Sequence, residues 1–81
     1  MIVSVKLFAR ARDLAGADAV SVEMPDQGTL ADLRQRLAAA YPVMKTLIER
    51  SVLAVNNEFA DDSTILPPQA ELALLPPVSG G

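Results

Sequence analysis

Hydrophobic and polar residues alternate at the start of the chain, which is the pattern of a half-buried β-strand. Within residues 1–9, Val3, Val5 and Leu7 share one face. Phe8 falls on the opposite, polar face, where an aromatic side chain either makes an edge contact or faces a partner. The sequence leaves both interpretations open.

The next segment predicts a second strand that returns beside the first. Residues 11–15 fit a short helical turn that Gly16 closes, because glycine readily adopts the left-handed backbone that ends a helix. Residues 19–24 alternate again and stop at Pro25. Together these segments indicate an antiparallel hairpin with a wide loop.

Residues 29–41 carry the clearest helical pattern. Thr29 is a good N-cap, and Asp32 places a negative charge in the first turn, where the helix dipole favours it. Asp32 and Arg36 have the spacing of an i, i+4 ion pair, and Pro42 ends the helix. A single helix must bury its apolar stripe against a sheet. That stripe consists of Leu30, Leu33, Leu37, Ala38 and Tyr41.

The second half of the chain predicts two further strands. Asp61 and Asp62 are better explained as a solvated loop than as a metal site, because hard cations need more oxygen ligands than this segment supplies. The predicted elements are an ambiguous stretch that fits a turn of helix (43–50), a buried strand (51–55), a turn (56–58) and a last strand (71–75).

The order strand, strand, helix, strand, strand predicts an α+β domain of the β-grasp (ubiquitin-like) class. We expect a mixed sheet of about four to five strands covered by one main helix. In known folds of this order the first and last strands lie side by side in the middle, so the pairing is an analogy. Residues 1–75 should form this domain, and residues 76–81 a flexible C-terminal Gly-Gly tail.

Composition changes the picture mainly by what it excludes. The net charge is −3, aromatic residues make up 4% of the chain, and Arg10, Arg12, Arg34 and Arg36 are scattered as solvated charges, so no nucleic-acid site is expected. The lack of cysteine and histidine removes disulfides, thiolate nucleophiles, ordinary zinc sites and imidazole bases.

Because 51% of only 81 residues are hydrophobic, some apolar surface should remain for a partner. No signal-peptide layout or membrane-length apolar run occurs, so a soluble cytoplasmic protein is expected.

The candidate chemistry lies in the last six residues, 76–81. Pro76-Pro77 cannot continue a sheet and favours a stiff exit, whereas Gly80-Gly81 carries no side chains and accepts the backbone angles of a narrow channel in another protein. A free carboxylate is a poor acyl donor, but it becomes a good one after attack on the α-phosphate of ATP. The resulting acyl-adenylate accepts sulfide, giving a thiocarboxylate, or an amine, giving an amide.

Four short segments carry a family resemblance: Leu7-Phe8-Ala9, Arg12-Asp13-Leu14-Ala15-Gly16, Ala54-Val55-Asn56 and Leu75-Pro76-Pro77-Val78-Ser79-Gly80-Gly81. In this order they make the chain resemble the small subunit of molybdopterin synthase, and the tail is the specific part. The family often has Glu in place of Asp13 and an aromatic residue in place of Leu75. The smaller Leu75 leaves the tail chemistry untouched and makes a smaller partner contact.

The resemblance implies a mechanism centred on Gly81, with Gly80 beside it. An adenylyltransferase related to ubiquitin-activating enzymes would hold ATP and magnesium and adenylate Gly81, so the chain itself binds no cofactor or metal. Sulfur from a persulfide donor would then leave a thiocarboxylate. As a non-catalytic subunit, the carrier would insert its tail into the large synthase subunit, within a heterotetramer of two small and two large subunits. There it would donate sulfur to precursor Z (cyclic pyranopterin monophosphate), and two transfers would build the dithiolene of molybdopterin.

The pattern of the residues agrees with this mechanism and suggests a partner-binding surface. Our hypothesis is that outward-facing Phe8 and Leu75, together with Phe59, form an apolar patch flanking the tail, which two successive partners would share. The remaining candidates are Arg12, Pro76, Pro77, Val78 and Ser79.

Other classes of protein share the diglycine end. One alternative is a related carrier for thiamine or cysteine synthesis, or a ubiquitin-like modifier joined to lysines. Another is a pure binding module with an inert tail, which would keep its function without Gly81.

Overall fold

The computed structural model describes residues 1–76. Within that range the chain forms five strands, three α-helices and one turn of 3-10 helix (Pro42–Met44). The strands are β1 (Ile2–Leu7), β2 (Ala19–Glu23), β3 (Val52–Val55), β4 (Glu58–Phe59) and β5 (Leu72–Leu75). The helices are α1 (Ala9–Ala15), α2 (Leu30–Ala40) and α3 (Lys45–Arg50).

The sheet confirms the β-grasp prediction. Its strand order is β2-β1-β5-β3-β4, so the first and last strands lie next to each other in the middle. They run parallel, with Val5 opposite Leu72 and Leu7 opposite Leu74. The other three pairings are antiparallel, and the pairing of β1 with β2 confirms the predicted hairpin.

One face of the sheet is buried against the helices. The alternation in β1 places Val3, Val5 and Leu7 on this face, and the stripe of α2 covers them. Fully buried side chains from both layers form the centre of the core, namely Val5, Met24, Leu30, Leu33, Leu37, Met44, Ile48, Leu53 and Leu74. None of the helices in residues 1–76 is long and apolar enough to cross a membrane.

Local signals set the helix ends as predicted. Thr29 caps α2: its hydroxyl accepts from the Asp32 N–H at 3.3 Å, and its own N–H donates to the Asp32 carboxylate at 3.0 Å. Gly16 has φ +69° and donates its N–H to the Arg12 carbonyl at 2.9 Å, which closes α1. Both capping residues could therefore be identified from the sequence.

Two local expectations need correction, and the helical turn suggested for residues 43–50 is confirmed in a longer form. The Asp32–Arg36 ion pair does not form, because Asp32 is engaged in the cap while Arg36 donates to the Glu23 carbonyl at 3.3 Å. The first strand ends at Leu7, so Phe8 is the N-cap residue of α1 and not the end of a strand. The ambiguous stretch 43–50 is mostly helical, since the 3-10 turn runs directly into α3.

Arg34 was expected to be a solvated surface charge, and this expectation was wrong. Its side chain is only 19% exposed. One guanidinium nitrogen, Nη1, donates to the Ile48 carbonyl at 2.6 Å and to the Ser51 carbonyl at 2.8 Å, while Nε bonds Asp62 at 2.9 Å. Arg34 therefore fastens the end of α3, just before β3, to the middle of α2.

We expect Arg34→Met to lower the free energy of unfolding by about 1–3 kcal/mol, because two backbone carbonyls lose a charged donor. Urea denaturation monitored by circular dichroism measures this loss. Arg36→Met is the matched control and should change stability by less than about 0.5 kcal/mol, since Arg36 is exposed and makes one long hydrogen bond. Equal effects of the two substitutions would contradict the stabilising role of the Arg34 hydrogen bonds.

Candidate functional site

The last strand ends at the same end of the sheet as the first. Because β1 and β5 are parallel, Leu7 and Leu74 are paired, and Phe8 and Leu75 are the residues that follow them. Leu75 is also paired with Val52, the first residue of β3. We call this the tail end of the sheet, since residue 76 leaves the sheet here.

An apolar patch covers the sheet face that the helices leave open. Strand pairing places Ala54 between Phe59 and Ala73, and Val52 beside Leu75. None of these side chains belongs to the helix-covered core, and Ala54 is only 6% exposed on this opposite face. The outer patch is defined as Phe8, Val52, Ala54, Phe59, Ala73 and Leu75.

Two aromatic side chains give the outer patch most of its exposed apolar surface. Phe59 is 73% exposed and Phe8 is 42% exposed. Leu75 is half-buried. Lys6 is paired with Ala73 across the strands, which places one charged residue next to the outer patch. Exposed aromatic groups around small residues form a shallow apolar surface, which is suited to a protein partner and not to enclosing a small molecule.

The remaining predicted site residues lie elsewhere. Arg12 is exposed on α1 and does not belong to the outer patch. Its Nε lies 3.6 Å from Oδ1 of Asp18, with which it forms an ion pair. Pro76 is exposed at the last described position. The predictions for Pro77, Val78, Ser79, Gly80 and Gly81 lie outside the described residues. A role for each of these residues in partner binding or chemistry stays a prediction.

Sequence reasoning missed three members of the outer patch: Val52, Ala54 and Ala73. Their signal was available, because the alternation that points Leu72 and Leu74 inward also points Ala73 outward. Ala54 and Ala73 have small side chains, so neither stands out in the sequence as a candidate for partner contact.

The acidic loop has a local structural role. The Asp61 carboxylate accepts from the Ser63 hydroxyl at 2.6 Å and from the Ser63 N–H at 3.0 Å. These hydrogen bonds favour the ionised form and hold the pKa of Asp61 below its ordinary value. Asp62 is the ion-pair partner of Arg34. Both carboxylates thus contribute to the loop that crosses beside α2.

Comparisons with known proteins agree on one family. The model of the ThiS family matches residues 5–81. The molybdopterin synthase sulfur carrier subunit of Arabidopsis thaliana is 38% identical over 79 residues, which cover 98% of this chain and 82% of that protein.

Two solved structures share the fold. The crystal structure of SAMP1 from Haloferax volcanii has a TM-score of 0.86 and 29% identity, with full coverage of both chains. A putative molybdopterin converting factor, subunit 1, from Pyrococcus furiosus has a TM-score of 0.83 and 28% identity, covering 96% of this chain and 99% of that one.

Proposed function

This chain belongs to the ThiS family as a relative of the molybdopterin synthase sulfur carrier subunits, and from that premise we propose that it carries sulfur on the carboxylate of Gly81. One observation carries the proposal: Leu74 near the end of β5 is paired with Leu7, the residue before Phe8, and Leu75 of the outer patch is the last residue before the tail. A partner docked on that patch is positioned to receive the tail. The sequence has no cysteine, so a thiolate of this chain cannot hold the sulfur.

The loading reaction takes place in three steps on the activating enzyme, which supplies ATP and magnesium. A carboxylate oxygen of Gly81 attacks the α-phosphorus of ATP, and pyrophosphate leaves. The terminal sulfur of a persulfide then attacks the acyl carbon, and AMP leaves. A second thiol cleaves the resulting acyl disulfide, which gives the thiocarboxylate and a new disulfide. Gly80 and Gly81 have no side chains to obstruct the channel in which this occurs.

The delivery reaction takes place on the large synthase subunit. The relatives are named as one subunit of an assembly, which supports a second subunit as the partner. The thiocarboxylate enters that subunit and transfers sulfur to precursor Z, within a heterotetramer in the cytoplasm. This chain contributes the sulfur and its positioning, while the partner provides the catalytic pocket.

Both partners dock on the outer patch, and the second must wait for the first to leave. The patch is apolar and includes Leu75, which directly precedes the tail, so we expect either protein that holds the tail to cover Phe8 and Leu75 as well. Two proteins that need the same surface bind in turn. Shared use of one patch therefore orders loading before delivery.

A ubiquitin-like modifier is the second candidate, because the chain is also similar to SAMP1 of Haloferax volcanii, whose name stands for small archaeal modifier protein 1. The activated carboxylate would then react with a lysine amine and release AMP, forming an amide. The two functions diverge only after adenylation, so product mass distinguishes them.

Incubation with the activating enzyme, ATP and a sulfur source should add the mass of one oxygen-to-sulfur exchange to Gly81. Intact-mass spectrometry followed by C-terminal peptide analysis measures this change. The chain lacking Gly81 and a variant with bulky residues at 80 and 81 should gain no sulfur. Thiolation at any other residue, or an amide to lysine as the main product, would contradict the sulfur-carrier mechanism.

Phe59→Ala and Phe8→Ala should each weaken binding to both partners by at least about tenfold, because exposed aromatic groups often dominate the energy of an interface. Ile65→Ala is the matched control, since Ile65 is also exposed but lies outside the outer patch. Isothermal titration calorimetry gives the dissociation constants. Unchanged affinity of both phenylalanine variants for both partners would rule out the shared patch.

A further inference from the structure

A groove lies between the helices at the tail end of the sheet. Its volume is about 510 Å³. The 3-10 turn packs against α1, and α3 leads directly into β3, whose first residue is paired with Leu75. The helix groove is defined by its lining residues, Arg10, Leu14, Val43, Thr46, Leu47 and Arg50.

The helix groove combines an apolar floor with two cationic side chains. Val43 is 66% exposed, while Leu14 and Leu47 are half-buried. Within residues 1–76, neither Arg10 nor Arg50 has an acidic side chain within ion-pair distance. Arg12 and Arg34 do have such partners, in Asp18 and Asp62.

Nearby acidic residues do not neutralise the two arginines. Asp13 lies on α1 with Arg10, and Glu49 lies on α3 with Arg50, yet neither forms an ion pair with them in the described part of the chain. The groove therefore presents positive charge on a protein whose net charge is −3. Such a surface attracts carboxylates and at the same time offers contact to an apolar side chain.

We propose that the helix groove docks an acidic segment of the large synthase subunit, in which carboxylates flank a bulky apolar side chain. The assignment of this partner rests on the proposed function. Arg10 and Arg50 would pair with the carboxylates, and the apolar side chain would cover Val43 and the two leucines. Guanidinium groups suit this role because they bind carboxylates through two parallel hydrogen bonds.

The size of a stable interface points to the large subunit in place of the activating enzyme. Stable interfaces use roughly 20–30 residues on each side, whereas transient encounters are smaller. A lasting assembly with the large subunit must therefore cover more surface than the six residues of the outer patch. The helix groove continues the contact around the tail end, so a partner that encloses the tail can cover both surfaces.

Charge reversal tests the groove. Arg10→Glu and Arg50→Glu should each lower the association rate constant with the cognate large subunit by at least about fivefold at low salt, because steering charges act on encounter. The double variant should also lose most of the salt dependence seen with the natural protein. Stopped-flow fluorescence with the full chain measures both quantities. Arg36→Glu carries the same charge change on α2 and should alter the rate less than about twofold.

Val43→Ser tests the apolar floor separately. Val43 is exposed, so the variant should keep its unfolding temperature while its dissociation from the large subunit accelerates severalfold. Arg10→Gln and Arg50→Gln replace the glutamate variants if thermal unfolding shows those to be misfolded.

The outcomes separate this inference from the proposed function. If the natural chain does not bind the large subunit, the proposed function fails and the groove assignment fails with it. If the natural chain binds and delivers sulfur but the Arg10 and Arg50 variants behave like Arg36→Glu, only the groove inference is overturned. An equal loss of affinity for the activating enzyme would overturn the assignment to the large subunit.

Discussion

The parallel pairing of β1 with β5 is the constraint on which the rest of the molecule depends. It joins residue 5 to residue 72, a contact between distant parts of the chain that is slow to form. Burial stabilises it, since Val5, Leu7, Leu72 and Leu74 are all at most 2% exposed. The start of the tail is therefore positioned only when β1 and β5 have paired. An unfolded carrier would offer its partners a diglycine end without a docking surface.

Local structure could be predicted because its signals are local. The cap at Thr29 and the turn at Asn56-Asn57, where φ is +51° and +69°, each depend on residues within a few positions. Arg34 shows the limit, because its carbonyl partners lie 14 and 17 residues away and no spacing rule connects them. The expected Asp32–Arg36 pair failed for a related reason: spacing permits an ion pair, but it does not show that another donor already occupies the carboxylate.

Some features of the candidate site could likewise be predicted from nearby residues, whereas others depend on how distant elements pack. The period-two pattern of the last strand is enough to predict that Leu75 faces outward, and Phe59 could be suspected as an exposed aromatic. The sheet order had to come from analogy, because alternation says which face a side chain lies on and nothing about which strand is its neighbour. Arg10 and Arg50 line one groove only because α1 and α3 both pack at the tail end, so in the sequence they are two scattered charges.

The distribution of charge gives the two surfaces different roles. The outer patch is nearly free of charge, so it can bind any partner with a complementary apolar surface and discriminates weakly. The helix groove holds two arginines that lack acidic partners within the described range, and an apolar or basic partner surface would leave them desolvated and unpaired. Specificity is a difference between two affinities, and a penalty on the wrong partner contributes as much as a gain on the right one. In the proposed cycle two proteins bind in turn, and there the shared apolar face would serve both while the charged groove favours one.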